Sequence, residues 1–195
     1  MKRIAMIVGL GMFLALPSWL AAQNNHGEVG AYADYFHYAP GSASDNFVGV
    51  GGRLSVNVRP LLALEGEMNY DFARNYTTTT SNGGSTSFST TSVRPLTGLF
   101  GPKLQTNGSV RVFVTGKVGF INFSTNTSGN VTAGSATGAV SSVGGSGTHL
   151  AVYPGGGLEA FLGPVGLRAE VGDEIYLDNG TYNNLRVTFG PQIRF

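Results

Sequence analysis

Eight stretches of the chain alternate apolar and polar residues with a period of two, and on one of the two parities the one charge is Asp173, near the end of the seventh. They run over about 28–37, 47–58, 62–72, 95–105, 110–123, 149–162, 165–176 and 184–195. Period two marks a half-covered β-strand. The apolar parity reads Val48, Val50, Gly52, Leu54, Val56, Val58 in the second stretch and Leu185, Val187, Phe189, Pro191, Ile193, Phe195 in the last. The opposite parity carries the acids Glu28, Asp34, Glu65, Glu67, Asp71, Glu159 and Glu170 and the bases Arg53, Lys103, Arg111, Lys117, Arg168, Arg186 and Arg194. With equal numbers of each sign, that face is expected to be neutral within itself.

Alternation alone fits a soluble sandwich as well as a barrel turned inside out. Glycine separates the two. Gly30, Gly49, Gly51, Gly101, Gly119, Gly155, Gly157, Gly166 and Gly190 share the charged parity; glycine weakens a strand and suits an exposed soluble face poorly, but makes room where strands crowd a narrow lumen. The polar parity is therefore expected inside and the apolar parity outside, against lipid. Closing the sheet pairs every backbone group within the protein, as lipid demands. Charged residues make up 12% of the chain, roughly half the soluble share of about 25%.

The connections alternate in length. Short ones fall at Arg59-Pro60-Leu61, Thr106 to Ser109 and Gly163-Pro164, and long ones at 38–46, 73–94, 124–148 and 177–183. This is the pattern of an all-β, eight-stranded antiparallel up-and-down transmembrane barrel with both ends of the sheet at the short-turn side. Thr77 to Thr91 and Ser124 to Ser146 are low in complexity and read as mobile surface loops. Pro102, Pro154 and Pro191 each forfeit a ladder bond unless a bulge sits there. An aromatic girdle would rest on Tyr35, Tyr70, Phe72, Phe120, Tyr176 and Phe195.

Ahead of the alternating region, Lys2 and Arg3, the apolar run Ile4 to Leu16 and the small residues Leu20-Ala21-Ala22 form a cleavable export signal. The expected division is a signal peptide over 1–22 and one barrel domain over 23–195. Losing Lys2 and Arg3 leaves ten basic against eleven acidic residues, no basic footprint for nucleic acid. The absence of cysteine excludes disulfides and thiolate metal sites.

No motif for catalysis, cofactor or metal stands out. Of the histidines His26, His37 and His149, none has the serine and carboxylate spacing of a triad. Glu65 and Glu67 share a strand face with bases and read as structural partners rather than an acid/base pair. Asp173, Glu174 and Asp178-Asn179-Gly180 lack the order of a calcium loop and read as a solvated turn. The glycine runs complete no phosphate-binding pattern, and the Asn-x-Ser/Thr triplets read as chance composition.

Turn geometry supplies a finer expectation. A two-residue Gly163-Pro164 loop, with glycine first as a type II′ turn requires, sets Leu162 against Val165 and Glu159 against Arg168. A three-residue turn over Arg59 to Leu61 sets Val58 against Leu62 and Arg53 against Glu67. Both pairs point inward as lumen ion pairs, and eight strands leave an interior just wide enough for side chains to fill. Exchanging Arg53 and Glu67 is then expected to recover much of the stability that either single change removes.

The closing run to Phe195, apolar at every second residue, looks like the C-terminal assembly signal of bacterial outer-membrane barrels. With Val48-Gly49-Val50-Gly51-Gly52-Arg53-Leu54 and Leu62-Ala63-Leu64-Glu65-Gly66-Glu67, the region 23–195 resembles the small outer-membrane protein A and X type barrels, barrel domain only. The resemblance implies export to the outer membrane, outer-membrane lipids as surroundings, insertion by the barrel assembly machinery with periplasmic chaperones, and a monomer. The peptidoglycan-binding domain of longer relatives is not expected here. A non-enzymatic structural or surface-interaction role through long extracellular loops is the leading expectation. A narrow solute channel or a lipid A-modifying enzyme is the alternative.

Overall fold

The computed structural model describes residues 26–39, 45–82, 85–129, 147–178 and 180–195. The segment 1–22 read as a signal, and most of the tract 124–146, lie outside them. Eleven strands occur: β1 (Gly27–Tyr38), β2 (Asp45–Arg59), β3 (Leu62–Asp71), β4 (Arg74–Asn82), β5 (Ser85–Gln105), β6 (Val110–Gly129), β7 (Gly147–Leu162), β8 (Val165–Asp173), β9 (Ile175–Leu177), β10 (Thr181–Tyr182) and β11 (Leu185–Arg194). No helix occurs among the described residues.

Eight of these strands form the wall. Antiparallel pairing runs β1, β2, β3, β5, β6, β7, β8, β11, and β11 returns to β1. The seam is complete at the short-turn end, where Gly27 and Phe195 exchange backbone hydrogen bonds of 2.9 Å each way. Every wall strand thus has two neighbours, and these eight close into a barrel. Outward positions are apolar and exposed, from Val48 and Leu54 to Phe100, Val114, Leu158, Leu167 and Phe189. The charged parity faces in.

At the turns, Gly163 has φ +65°, and Leu162 faces Val165 with Glu159 opposite Arg168. The β2–β3 turn departs from the three-residue expectation. Pro60 and Leu61 alone form it, Arg59 faces Leu62, and the register shifts between Asn57 and Arg59. That bulge at Val58 absorbs the residue the shorter turn gives up, so Arg53 still lies opposite Glu67.

The tract 73–94, expected as a long loop and as mobile over Thr77 to Thr91, is a hairpin. Arg74 pairs with Val93 and the ladder continues to Asn82 and Ser85, while β6 extends along β5 until Gly129 meets Ser89. A three-stranded blade of β4, β5 and β6 therefore rises beyond the wall. β-branched threonine suits a pleated strand, a preference that low-complexity composition conceals. Asp45 fastens the base, pairing with Arg74 Nη1 at 2.9 Å and accepting the Tyr76 hydroxyl.

The prolines sit without bulges. Each keeps a ladder on one side, Pro102 with Leu64, Pro154 with Gly116 and Pro191 with Leu167. On the other side pairing skips the proline and resumes in the same register, as from Phe100↔Val118 to Lys103↔Thr115. One missing donor opens one gap in one ladder, and the closed sheet holds alignment across it.

Candidate functional site in the barrel lumen

The lumen is packed in layers. Nearest the short turns, Glu28 Oε1 accepts from Arg111 Nη1 at 2.7 Å and its Oε2 from Lys103 Nζ at 3.0 Å. Below them a cup of about 340 Å³, lined by His26, Asn57 and Arg59 among others, ends on Arg111. Lys103 also donates to Glu159 at 2.8 Å, linking this layer to the next.

The middle layer joins Arg53, Lys117 and Arg168 to Glu65, Glu67 and Glu170. Arg168 forks onto Glu65 with contacts of 2.6 and 2.9 Å and also reaches Glu159 at 2.9 Å and Glu170 at 2.6 Å. Arg53 contacts Glu170 at 2.7 Å, Glu67 at 3.0 Å and Glu65 at 3.4 Å. Lys117 Nζ lies 2.7 to 3.0 Å from the same three acids. The structure thus brings Arg53, Glu67, Glu159 and Arg168 into one network rather than two separate pairs. Oxygens of Glu65, Glu67 and Glu170 lie close enough together to ligate a metal. All three carboxylates are occupied by these cations, so the arrangement works as an ion-pair net.

Above it Arg186 is ringed by Asp34 at 3.2 Å, Asp71 at 3.3 Å and Glu174, whose second oxygen accepts from Thr97 at 3.0 Å. Glu174 corrects the solvated-turn reading, for it is fully buried. It shares the even parity of Arg168 and Glu170, a signal the sequence already holds. Counting Glu174, and leaving Arg194 at the rim where its Nε donates to the Gly163 carbonyl, the buried lumen holds eight acids and six bases. The expected balance of seven against seven gives way to a formal surplus of two acids, with Asp34, Asp71 and Glu174 gathered around Arg186. Asp34 is the least satisfied, since neither carboxylate oxygen has a hydrogen-bond partner. Asp34→Asn is therefore expected to match or exceed wild-type stability in urea titrations of the folded barrel. Arg186→Ala leaves three buried acids and should lose about 3–5 kcal/mol. Equal losses from both changes would refute this charge balance.

A lid of Phe36, Tyr38, Phe47, Val93, Ile121, Phe123, Ala151 and Tyr176 closes the lumen toward the long loops, with the Tyr38 and Tyr176 hydroxyls 2.6 Å apart. Tyr176 is buried inside, not in an outer girdle as expected; Tyr35, Tyr70, Phe72 and Phe120 do face outward. Inward aromatic residues are what sequence reasoning most underweighted. Each buried cation lies over a ring: Arg53 on Tyr32 at 4.5 Å, Lys103 and Arg168 on Phe113 at 5.7 and 4.0 Å, Arg111 on Phe161 at 5.0 Å, Lys117 on Tyr153 at 5.2 Å and Arg186 on Phe36 at 4.6 Å. Such contacts strengthen when desolvated. The inward glycines make the space. A Cβ on Gly51 would meet the Tyr32 ring at 2.3 Å, and one on Gly157 would lie 2.8 Å from Phe113.

The histidines assemble no triad among the described residues. His37 Nδ1 lies 2.6 Å from Asn46 Oδ1. His149 has Asp178 at 3.7 Å, but its Nε2 has no hydrogen-bond partner, so no hydroxyl is poised on it.

A closed eight-stranded barrel with an apolar outer wall and a side-chain-filled lumen has the fold of the small outer-membrane barrels. Among solved structures it is similar to Ail, the attachment invasion locus protein of Yersinia pestis, crystallised in complex with the heparin analogue sucrose octasulfate. That likeness has 12% identity, a TM-score of 0.54, and covers 89% of this chain and all of that one. It is also similar to Neisserial surface protein A, at 10% identity and TM-score 0.51 over 89% of this chain and 99% of that one. No protein-family model matches the sequence, and no curated protein matches it.

Proposed function

We propose that the protein is an integral outer-membrane barrel, without catalytic activity, that anchors a surface-displayed blade. The observation that carries this reading is the continuity of β4, β5 and β6 beyond a filled barrel. Solid interior and ordered projection suit an anchor that presents a surface, whereas transport needs an opening. In this reading the segment 1–22 exports the chain, and the domain 23–195 inserts as a monomer. The assembly machinery reads Phe195 after periplasmic chaperones have delivered the chain. Ail was crystallised with a heparin analogue, but the described part of this blade offers only Arg74 and Arg94 as cations. Its contacts are instead those of hydroxyl and amide groups.

Expressed with its N-terminal segment, the protein is expected to fractionate with outer membranes. It should run faster on a gel unheated than boiled. An epitope inserted at Gly83, between β4 and β5 in the sequence, should be reached by antibody on intact cells, because polar stretches joining two strands tolerate insertion. A soluble periplasmic protein with no heat shift would overturn the location. An epitope reached only after permeabilisation would invert the topology.

A further inference from the structure

Along the apolar outer wall, the outward positions of β5 from Leu96 to Leu104 carry no charge, and those of β3 from Leu62 to Tyr70 carry none. The nine residues from Leu96 to Leu104 extend about 30 Å along the strand. Tilted by about 40°, they match an apolar band of about 25 Å. Arg94 is the next outward position toward the loops, at the depth where hydrocarbon gives way to headgroups. Its guanidinium lies 5.2 Å from the Tyr70 ring centroid, and Nη1 donates to the Tyr70 hydroxyl at 2.8 Å. Among the described residues no carboxylate lies within 4.0 Å of it, unlike Arg74, which is held by Asp45 and by the Asn46 carbonyl at 2.6 Å. Across the ladder it faces the exposed Ser124.

We propose that Arg94, fixed on Tyr70 beside Ser124, receives the phosphate of an anionic amphiphile in the leaflet on the loop side. Guanidinium presents five N–H donors in a planar fork that fits phosphate oxygens, and one donor is used on Tyr70. The tyrosine pre-sets the fork, and the serine hydroxyl adds a neutral donor. An apolar wall directly below accepts the acyl chains. A lone cation facing hydrocarbon would be unfavourable, whereas at this depth an anionic headgroup neutralises it. This rests on the membrane-spanning reading above.

The test uses the full chain in vesicles of phosphatidylcholine alone or doped with phosphatidic acid, with native mass spectrometry of the retained lipid. Wild type is expected to hold phosphatidic acid preferentially. Arg94→Gln should lower that retention about tenfold, as loss of a charge-assisted hydrogen bond implies. Arg94→Lys should restore part of it, and Arg74→Gln should change it least. Equal retention by wild type and Arg94→Gln would overturn the proposal. So would equal competition by inorganic phosphate, which would make this a site for the free ion, or by a sulfated polysaccharide, which would make it a polyanion surface. Insertion into phosphatidylcholine alone, read from the heat shift, is scored separately. Failure there strikes the membrane reading and not the phosphate site.

Discussion

Arg168→Ala is expected to give one of the largest losses of folding stability of any single substitution in the lumen, at the upper end of the roughly 3–5 kcal/mol that follows stranding of a buried charge. Its guanidinium serves Glu65, Glu159 and Glu170 together and rests 4.0 Å from the Phe113 ring centroid. Removing it leaves all three acids sharing Lys103, Lys117 and Arg53. The same network reverses what paired register alone suggests for the exchange of Arg53 and Glu67. Glutamate at 53 would meet Glu65 and Glu170, and arginine at 67 would meet Lys117, which now lies 2.8 Å from Glu67. The double variant should remain nearly as destabilised as Arg53→Ala. Urea titration of the folded barrel in vesicles decides the matter. Recovery to wild-type stability on exchange would mean that the pairs act separately.

The second large effect is electrical. Purified protein in planar bilayers should show no steady conductance, because Lys103, Lys117, Arg186, Tyr153 and Phe123 all lie at or below 1% exposure across successive layers. The layers are redundant: Tyr38→Ala with Tyr176→Ala opens the lid but leaves the ion net beneath it, so this variant should also stay silent. Combining Lys117→Ala with Arg168→Ala should produce intermittent openings. Large, stable wild-type channels would place the narrow-channel reading above the anchor.

Wall, facing and topology were legible because lipid keeps charge off one parity except near the strand ends, as at Asp173 and Arg94, and period-two alternation reads that rule directly. The Gly163-Pro164 turn was equally plain, since a positive φ at the first position suits glycine. Where departures arose, local and global signals diverged. Thr77 to Thr91 has loop-like composition but strand-forming side chains, and pairing with β5 decided in favour of the strand. Val58 bulged where a longer turn was expected, a choice that leaves no mark in alternation. Tyr176 and Glu174 lie past the end of β8, where the strand breaks before β9. Their even parity was intact all the same. The Arg186 cluster needed three-dimensional closure, because Asp34, Asp71 and Glu174 come from opposite parts of the chain.

The union of blade and wall in β5 and β6 also has a mechanical meaning. In the proposed anchor role, a pull on the far end of the blade would load the β4–β5–β6 ladders along their strands, so that many hydrogen bonds perpendicular to the force resist in shear together rather than opening one after another. No hinge separates tip from anchor along β5, which runs unbroken from Ser85 to Gln105. Tension would pass straight into the membrane-embedded cylinder, where closure spreads it around the circumference. The molecule is built as a stiff lever rather than a tether, and a cell pulled by it would feel the pull at once.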